Sequence, residues 1–588
     1  MSASDLPDST MVLAIARAML EGFDNHYRRF RACASQAKGH FERGEWQAIQ
    51  DLSRERIDFY DQRVAEAAQR LDTEFDLGRL DESIWPQLKL QYVGLLIDHR
   101  QPECAETFFN SVSCKILHRR YFHNQYLFVR PTIATEHLDS EPPAYRSYYP
   151  HEIGLRATLA KIVADFGLEP PFADLERDIR YLLNSWRDFL PRPFRAESNH
   201  QIQVLSSLFF RNQKACIVGR LVNGSQEYPF VVPILRDARG ELFLDAILLE
   251  ADLLDSLFSA NRAYFLVDME VPAAYVEFLQ KLLPHKPKAE LYTIIGLQKH
   301  GKNLFYRDLL QHLRHSSDTF ISAPGIRGQV MAVFTLRSFP YVFKLIKDLI
   351  APQKNTDAET VKRKYWLVKH HDRAGRLADT LEYSDVALPR ARFDPAFLDE
   401  LRSSAGSQLE EDGDVVFIKH VYIEPRMVPL NLFLETAGEA ASRAAIHDYG
   451  LALRQLALAN IFPGDLLFKN FGVSRNGRVV FYDYDEIDYL TNCNFRRLPP
   501  PRSPEDELSG EAWFPVGEHD IFPEEFGRFL LTDPRHRAYF LEEHADLFDP
   551  EYWSGIKERI LSGQLDDVFL YPQAIRFCHR FCHHFGAC

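Results

Sequence analysis

The chain has 588 residues, 46% hydrophobic and 26% charged, a composition that gives a folded protein of more than one domain and excludes both a single small module and wholesale disorder. Its 69 Lys and Arg against 83 Asp and Glu leave a formal charge of −14, a field that repels nucleic acid and anionic lipid and argues against both as partners. The opening MSASDLPDST lacks the basic and apolar regions of a secretion signal, and no run reaches the ~18 apolar residues of a spanning helix, so no membrane association, a cytoplasmic location and reduced, unpaired cysteines are expected.

In chain order, the first hundred residues predict helices, with Val12, Ile15, Met19 and Phe23 and then Ile57, Tyr60, Val64 and Leu71 recurring at helical spacing. The Pro-interrupted stretch from Arg130 to Pro150 reads as a loop or crossover, and more helix is predicted around Leu155–Phe166 and Leu175–Leu190. Between Lys214 and Leu249 the pattern changes to short apolar runs separated by NGSQ and RDARG, which is hairpin punctuation. A small antiparallel sheet near 214–270 is therefore expected inside a mostly helical first domain, 1–315. Gly296 to Asn303 has the spacing of a phosphate-binding P-loop after the strand-like LYTII, but Asn303 stands where the magnesium-binding hydroxyl belongs. A P-loop ATPase is kept as an alternative.

From about Thr319 the chain predicts a strand, a glycine loop, a strand, a turn and a third strand. Val330, Ala332, Phe334 and Leu336 alternate along the second strand, and Val342, Lys344 and Ile346 share one face of the third. A lysine in an apolar strand calls for a counter-charge, which a phosphate would supply, and Gly325 and Gly328 let backbone N–H groups approach such an anion. The following helix offers Glu359 as a partner for Lys344, with Asp357 or a later acid as alternatives. Val415–Ile423 reads as a strand whose exit, Glu424-Pro425-Arg426-Met427, is a candidate hinge for an adenine ring, equally compatible with a plain strand-to-loop exit.

A helix with Ile446, Tyr449, Leu453 and Leu456 on one face then delivers the chain to FPGDLLFKNFGVSRNGRVVFYDYDE. Asp465 and Asn470 have the Asp-x-x-x-x-Asn spacing of a kinase catalytic loop, in which the aspartate receives the substrate hydroxyl proton and the asparagine holds Mg²⁺. A type I′ hairpin turning at Asn476-Gly477 would bring Asp483 back beside Asn470, with Asp485 a further acid in reach and a candidate catalytic residue. The closing FCHRFCHHFGAC presents Cys578, His579, Cys582, His583, His584 and Cys588, either as soft metal ligands or, as the spacing favours, on a terminal helix packing through Phe577, Phe581 and Phe585.

Several segments, among them APGIRGQV at 323–330, VFKLIKD at 342–348, RLADT at 376–380, RMVPLN at 426–431, NIFPGDLLFKNFGV at 460–473 and VVFYDYDE at 479–486, resemble the bacterial isocitrate dehydrogenase kinase/phosphatase family. ETFFNSV at 106–112 and AELYTIIGLQKH at 289–300 extend the resemblance over nearly the whole chain. It implies an α+β protein: a regulatory domain followed by a bilobal kinase-like domain, 316–588, with a small lobe over about 316–424 and a large lobe over about 425–588. It also implies a bifunctional enzyme that phosphorylates a serine of isocitrate dehydrogenase and removes that phosphate, setting flux between the citric acid cycle and the glyoxylate bypass. ATP, or ADP for the phosphatase reaction, and Mg²⁺ would share one site, with AMP as a possible allosteric effector.

By matching positions, Ala323, Pro324, Gly325, Ile326, Arg327, Gly328 and Gln329 form the implied nucleotide loop, and Lys344 contacts the nucleotide. Asp465 is the implied catalytic-loop acid, Asn470 and Asp483 the magnesium ligands, and Asp379 an acid of the phosphatase reaction; from the residues alone Asp379 reads as a solvated helix-end aspartate. Pro463-Gly464 and Tyr484-Asp485 depart from the usual His-Arg and Phe-Gly neighbours, so an arginine-read activation loop is not expected, and PPPRSPEDE at 499–507 is the candidate substrate-facing loop. The same departures leave a non-catalytic, nucleotide-sensing scaffold as a competing reading.

Overall fold

The computed structural model describes residues 9–77, 83–117, 126–138, 140–190, 195–259, 264–325, 327–351, 354, 356–371, 373–500, 514–564 and 566–581. Helices α1 (Ser9–Arg43), α2 (Trp46–Phe75), α3 (Ile84–Leu96) and α4 (Pro102–Leu117) open the chain. The α1 stripe Val12, Ile15, Met19 and Phe23 joins Val64 and Leu71 of α2 and Phe108 of α4 in one buried cluster, the burial its helical period predicts. Strand β1 (Tyr145–Tyr148) and helices α5 (Pro150–Ile153), α6 (Leu155–Ala164) and α7 (Leu175–Phe189) lead to β2 (Gln201–Leu205), β3 (Phe209–Arg211), β4 (Lys214–Asn223), β5 (Gln226–Arg236) and β6 (Leu242–Leu244).

These strands form a six-stranded sheet of order β1-β2-β4-β5-β6 with β3 on β4. The sheet is larger than the sequence reading and lies further upstream. Its edge strand β1 sits inside the Pro-rich stretch taken as a loop, because its partner β2 is remote in sequence: Tyr145 pairs with Leu205 and Tyr148 with Ile202. Beyond β6 the chain is mainly helical: α8 (Ala251–Leu257), α9 (Pro272–Leu282), α10 (Lys288–Ile294) and α11 (Gln298–His315).

The P-loop alternative fails on this geometry. LYTII begins inside α10 rather than in a strand, and Gly301, Lys302 and Asn303 lie within α11. Lys302 Nζ donates to the Glu382 carbonyl and lies 4.7 Å over the Tyr383 ring, while Asn303 donates to Thr107 Oγ1 at 3.1 Å.

The second half begins with β7 (Phe320–Ser322), β8 (Met331–Leu336) and β9 (Tyr341–Ile346). It continues through α12 (Ala358–His371), β10 (Leu381–Pro389), α13 (Pro395–Ala405), β11 (Leu409–Asp412) and β12 (Val415–Pro425). The strands make an antiparallel sheet of order β10-β12-β9-β8-β7, with β11 also on β12. Phe334, Phe343 and Leu345 are buried with Leu309 and Leu313 of α11 and Phe397 of α13, whereas Met331 and Ile346 join Val361 and Tyr365 of α12 in the core of the second lobe. The alternation of β9 therefore aims Lys344 between the lobes.

The second lobe is built on β13 (Val428–Pro429), α14 (Leu430–Thr436), α15 (Glu439–Leu458), β14 (Ile461–Phe462), β15 (Phe471–Val473) and β16 (Val479–Phe481), with Ile446, Tyr449, Leu453 and Leu456 of α15 buried. The closing segment returns to the first domain, where Phe577 N donates to Asp245 O at 2.7 Å and Phe581 stacks on Tyr181 with centroids 4.5 Å apart. Of the tail ligands, only Cys578 and His579 fall among the described residues; Cys582, His583, His584 and Cys588 lie outside them, as do Phe585 and residues 501–507 of the candidate substrate loop. Cys33, Cys104, Cys114, Cys216 and Cys493 are free thiols, and among the described residues no helix is long and apolar enough to cross a membrane.

Candidate active site between the lobes

Lys344 is held on two sides. Its Nζ lies 2.7 Å from Glu424 Oε2 and donates at 2.8 Å to the carbonyl of Tyr482, the residue before Asp483. Glu424 sits on β12 opposite Val342 of β9, so the pair is made across neighbouring strands. Thr380 Oγ1 donates to its other oxygen at 3.1 Å. Burial pushes the Glu424 carboxyl up, and the Lys344 ammonium opposes that shift.

The counter-ion expected from the following helix is therefore supplied elsewhere. Glu359, with 82% of its side chain exposed, pairs with Lys362, and Asp357 accepts from Thr360 N at 2.7 Å as a helix cap. The hinge expectation changes as well, because β12 continues through Glu424 to Pro425 and the Glu424 side chain is committed to Lys344. Met427 remains at the strand exit, packed so closely on Gly472 that a Cβ there would come within 2.7 Å of its own.

The acidic half of the cleft is the β15–β16 hairpin, registered Phe471 to Phe481 and Val473 to Val479. Its turn is not type I′, which needs a positive φ at both central residues: Gly477 has φ +72° and Asn476 does not. Gly477 N instead donates to Ser474 O at 3.0 Å and Ser474 N to Arg478 O at 2.8 Å, a turn of one more residue closed by a left-handed glycine. Tyr482 N donates to Asn470 O at 3.1 Å, which sets Asn470 beside the start of the Asp483 segment. Asn470 Nδ2 donates to Asp465 O at 3.2 Å, and Asp465 Oδ1 accepts from Leu467 N at 3.0 Å. The Tyr449 hydroxyl, donating to Leu466 O at 2.7 Å, ties this loop to α15.

The acids crowd one another. Burial pushes the Asp483 carboxyl up, Lys344 and Lys354 pull it back, and Asp465 adds a like charge. Burial and then the charge of Asp483 push Asp485 up to about 7. Hard oxygens short of positive charge suit a small divalent cation, so Asn470, Asp483 and Asp485 fit Mg²⁺ as a donor set. Among the described residues no group of three or more His, Cys, Asp or Glu side chains is placed to hold a metal.

The 323–329 loop joins β7 to β8, with Ala323 N donating to Val333 O at 3.0 Å and Gly325 at φ +116°. Arg327, its side chain 74% exposed, pairs outward with Glu400 of α13 at 2.9 Å. Pro324, Gly325, Gly328 and Gln329 are exposed, the Gly328 carbonyl accepts from Lys347 Nζ at 2.7 Å, and Ile326 lies outside the described residues. Asp379 is not a solvated helix end. α12 stops at His371, and Asp379 is buried in an extended segment whose Leu377 pairs in parallel with Phe481. The sequence reading missed Thr380 and the cross-strand role of Glu424; an acid opposite a lysine-bearing strand was the available signal.

The family described as isocitrate dehydrogenase kinase/phosphatase (AceK), regulatory domain, matches residues 16–317, and its kinase domain matches residues 318–573. Isocitrate dehydrogenase kinase/phosphatases of Burkholderia thailandensis, Burkholderia mallei and Burkholderia pseudomallei are each 57% identical over 576 residues, covering 97% of this chain and 95% of the relative.

Proposed function

The chain belongs to the isocitrate dehydrogenase kinase/phosphatase family, and on that premise we propose that it moves a phosphoryl group from ATP to a serine of isocitrate dehydrogenase and removes it again, with one cleft serving both reactions. This sets flux between the citric acid cycle and the glyoxylate bypass in the cytoplasm. The observation that supports the reading is the 2.8 Å bond from Lys344 Nζ to Tyr482 O, which joins the strand after the glycine loop to the residue before Asp483. The four groups Lys344, Asp465, Asn470 and Asp483 are what catalysis requires and a nucleotide-sensing scaffold does not.

In this reading the N–H groups of 323–329 and Lys344 neutralise nucleotide phosphates, and Asp465 orients the acceptor serine and takes its proton. Asn470, Asp483 and Asp485 would hold Mg²⁺, which when bound offsets the charge of the phosphates. Asp379 serves the phosphatase direction. Carboxylates facing a phosphoserine repel it unless their charge is balanced, so dephosphorylation is expected to be lost in EDTA. Residues 1–315 form the regulatory domain, with AMP as its effector, and 499–507 face the protein substrate.

Labelled ATP and purified isocitrate dehydrogenase test the assignment. Asp465→Ala is expected to lower phosphate incorporation by at least about 100-fold while ATP still binds. Full turnover by that variant would overturn the role of Asp465.

A further inference from the structure

The hairpin bearing Asn470 and Asp483 is gripped from behind by a buried fork that the phosphoryl-transfer reading does not use. Arg376 is 2% exposed. Its Nη1 and Nη2 donate to Asp448 Oδ2 and Oδ1 at 2.6 and 2.8 Å, a bidentate pair between the segment before β10 and helix α15. Burial works against ionisation of Asp448, and the guanidinium outweighs it, holding the carboxyl below its usual range.

Both partners also reach Val479 in β16. Asp448 Oδ2 accepts from Val479 N at 2.6 Å, and Arg376 Nη1 donates to Val479 O at 2.9 Å. Two residues on, Phe481 N donates to Arg376 O at 2.8 Å and Ala378 N to Phe481 O at 2.9 Å. The backbone of 376–378 thus adds a single parallel bridge at Leu377 to the hairpin, and the Arg376 side chain turns back onto Val479. Without the pair, two buried polar groups of Val479 would lose their partners.

The Nε donor links the fork to the rest of the molecule. Arg376 Nε donates to Gln455 Oε1 at 2.6 Å, and Gln455 Nε2 donates to Phe569 O at 2.9 Å. The Phe569 ring in turn meets Arg576 at 3.8 Å and Lys214 of β4 at 3.9 Å, so this network starts in the sheet of the first domain.

We propose that Arg376 and Asp448 are positioning residues for phosphoryl transfer: by fixing Val479 against α15 they set where Asp483 stands relative to Asn470. The proposal rests on the reading of Asn470 and Asp483 as the metal ligands. A lysine at 376 keeps the charge but cannot fork onto Asp448 and serve Val479 and Gln455 together.

The test uses the full chain with ADP, Mn²⁺ binding being read by electron paramagnetic resonance and the Mg²⁺ requirement by phosphorylation of isocitrate dehydrogenase. Arg376→Lys and Asp448→Asn are each expected to weaken Mn²⁺ binding and raise the half-saturating Mg²⁺ about tenfold. The KM for the protein substrate should move less than about twofold, and the double variant should be no worse than the worse single one.

Asp483→Asn is the control. If it leaves metal binding unchanged, the metal reading fails and takes this proposal with it. If it weakens binding while the fork variants do not, losing activity only in proportion to their folded fraction, the pair is scaffolding and the positioning role alone falls. Should both fork variants fail to fold, Gln455→Met decides: Mn²⁺ binding weakened about threefold or more supports the proposal, and unchanged binding overturns it.

Discussion

Lys344 and Glu424 leave 9% and 1% of their side chains exposed, a burial at which removing one charge is far more costly than at the surface. Glu424→Gln is therefore expected to lower unfolding stability by about 3 kcal/mol and to raise the KM for ATP, because Lys344 loses the counter-charge that holds it. Glu359→Gln, at an exposed surface pair, should leave both unchanged in denaturant titration and in kinetics. If the two variants behave alike, the strand-borne counter-ion is wrong. That Lys344 needs a partner was legible in the sequence, since a cation in an apolar strand cannot stand alone. Which acid meets it was not, because β9 and β12 pair across about eighty residues of chain that local periodicity does not join.

At the scale of the element, the catalytic loop owes its shape to Gly464, which precedes Asp465 with φ +80° and whose missing Cβ would lie 2.4 Å from the Glu486 carbonyl. This accounts for the Pro-Gly that replaces the usual His-Arg: the loop passes too close to the acidic segment for a side chain. Gly464→Ala should push Asp465 away from Asp483 and lower phosphate transfer by up to about 100-fold. Gly477→Ala, at φ +72° in open space, should cost only the left-handed strain of roughly 1–2 kcal/mol and leave transfer intact. Equal losses of activity in the two variants would refute the packing argument. The hairpin itself was legible from its alternating Val and Phe and its Asn-Gly, but its turn type was not, since Asn-Gly is compatible with either closure.

At the scale of the molecule, groups buried in the first domain contribute to acid sensitivity in opposite senses. Burial holds the imidazoles of His26 and His300 down at about 3 and pushes the Glu103 carboxyl up to about 7. Below their ordinary 6.5 the two histidines take up protons only when the chain unfolds, so they cost stability as pH falls; Glu103 keeps a proton in the fold that the unfolded chain releases above 4.5, and so acts in the opposite sense. Asp485, held at about 7 in the cleft, acts in the same sense as Glu103, and the histidine part of the dependence is a loss of stability as pH falls from 6.5 to 5. His300→Asn should reduce that dependence by about 1.4 kcal/mol per pH unit in denaturant titrations, and an unchanged slope would remove His300 from the account. Amphipathic period, strand alternation, glycine placement and the Asp-x-x-x-x-Asn spacing were enough to give the helices of the first half, the strands around Lys344 and the acids Asp465 and Asp483, because each is a pattern of neighbours along one chain, whereas the bilobal division came from the family resemblance. The edge strand in the Pro-rich stretch, the Glu424 counter-ion, the burial of Asp379 and the Arg376–Asp448 fork were decided only in three dimensions. Each depends on a partner brought from a distant part of the chain, and the energy that selects that partner comes from burial of charge and backbone that no local pattern records.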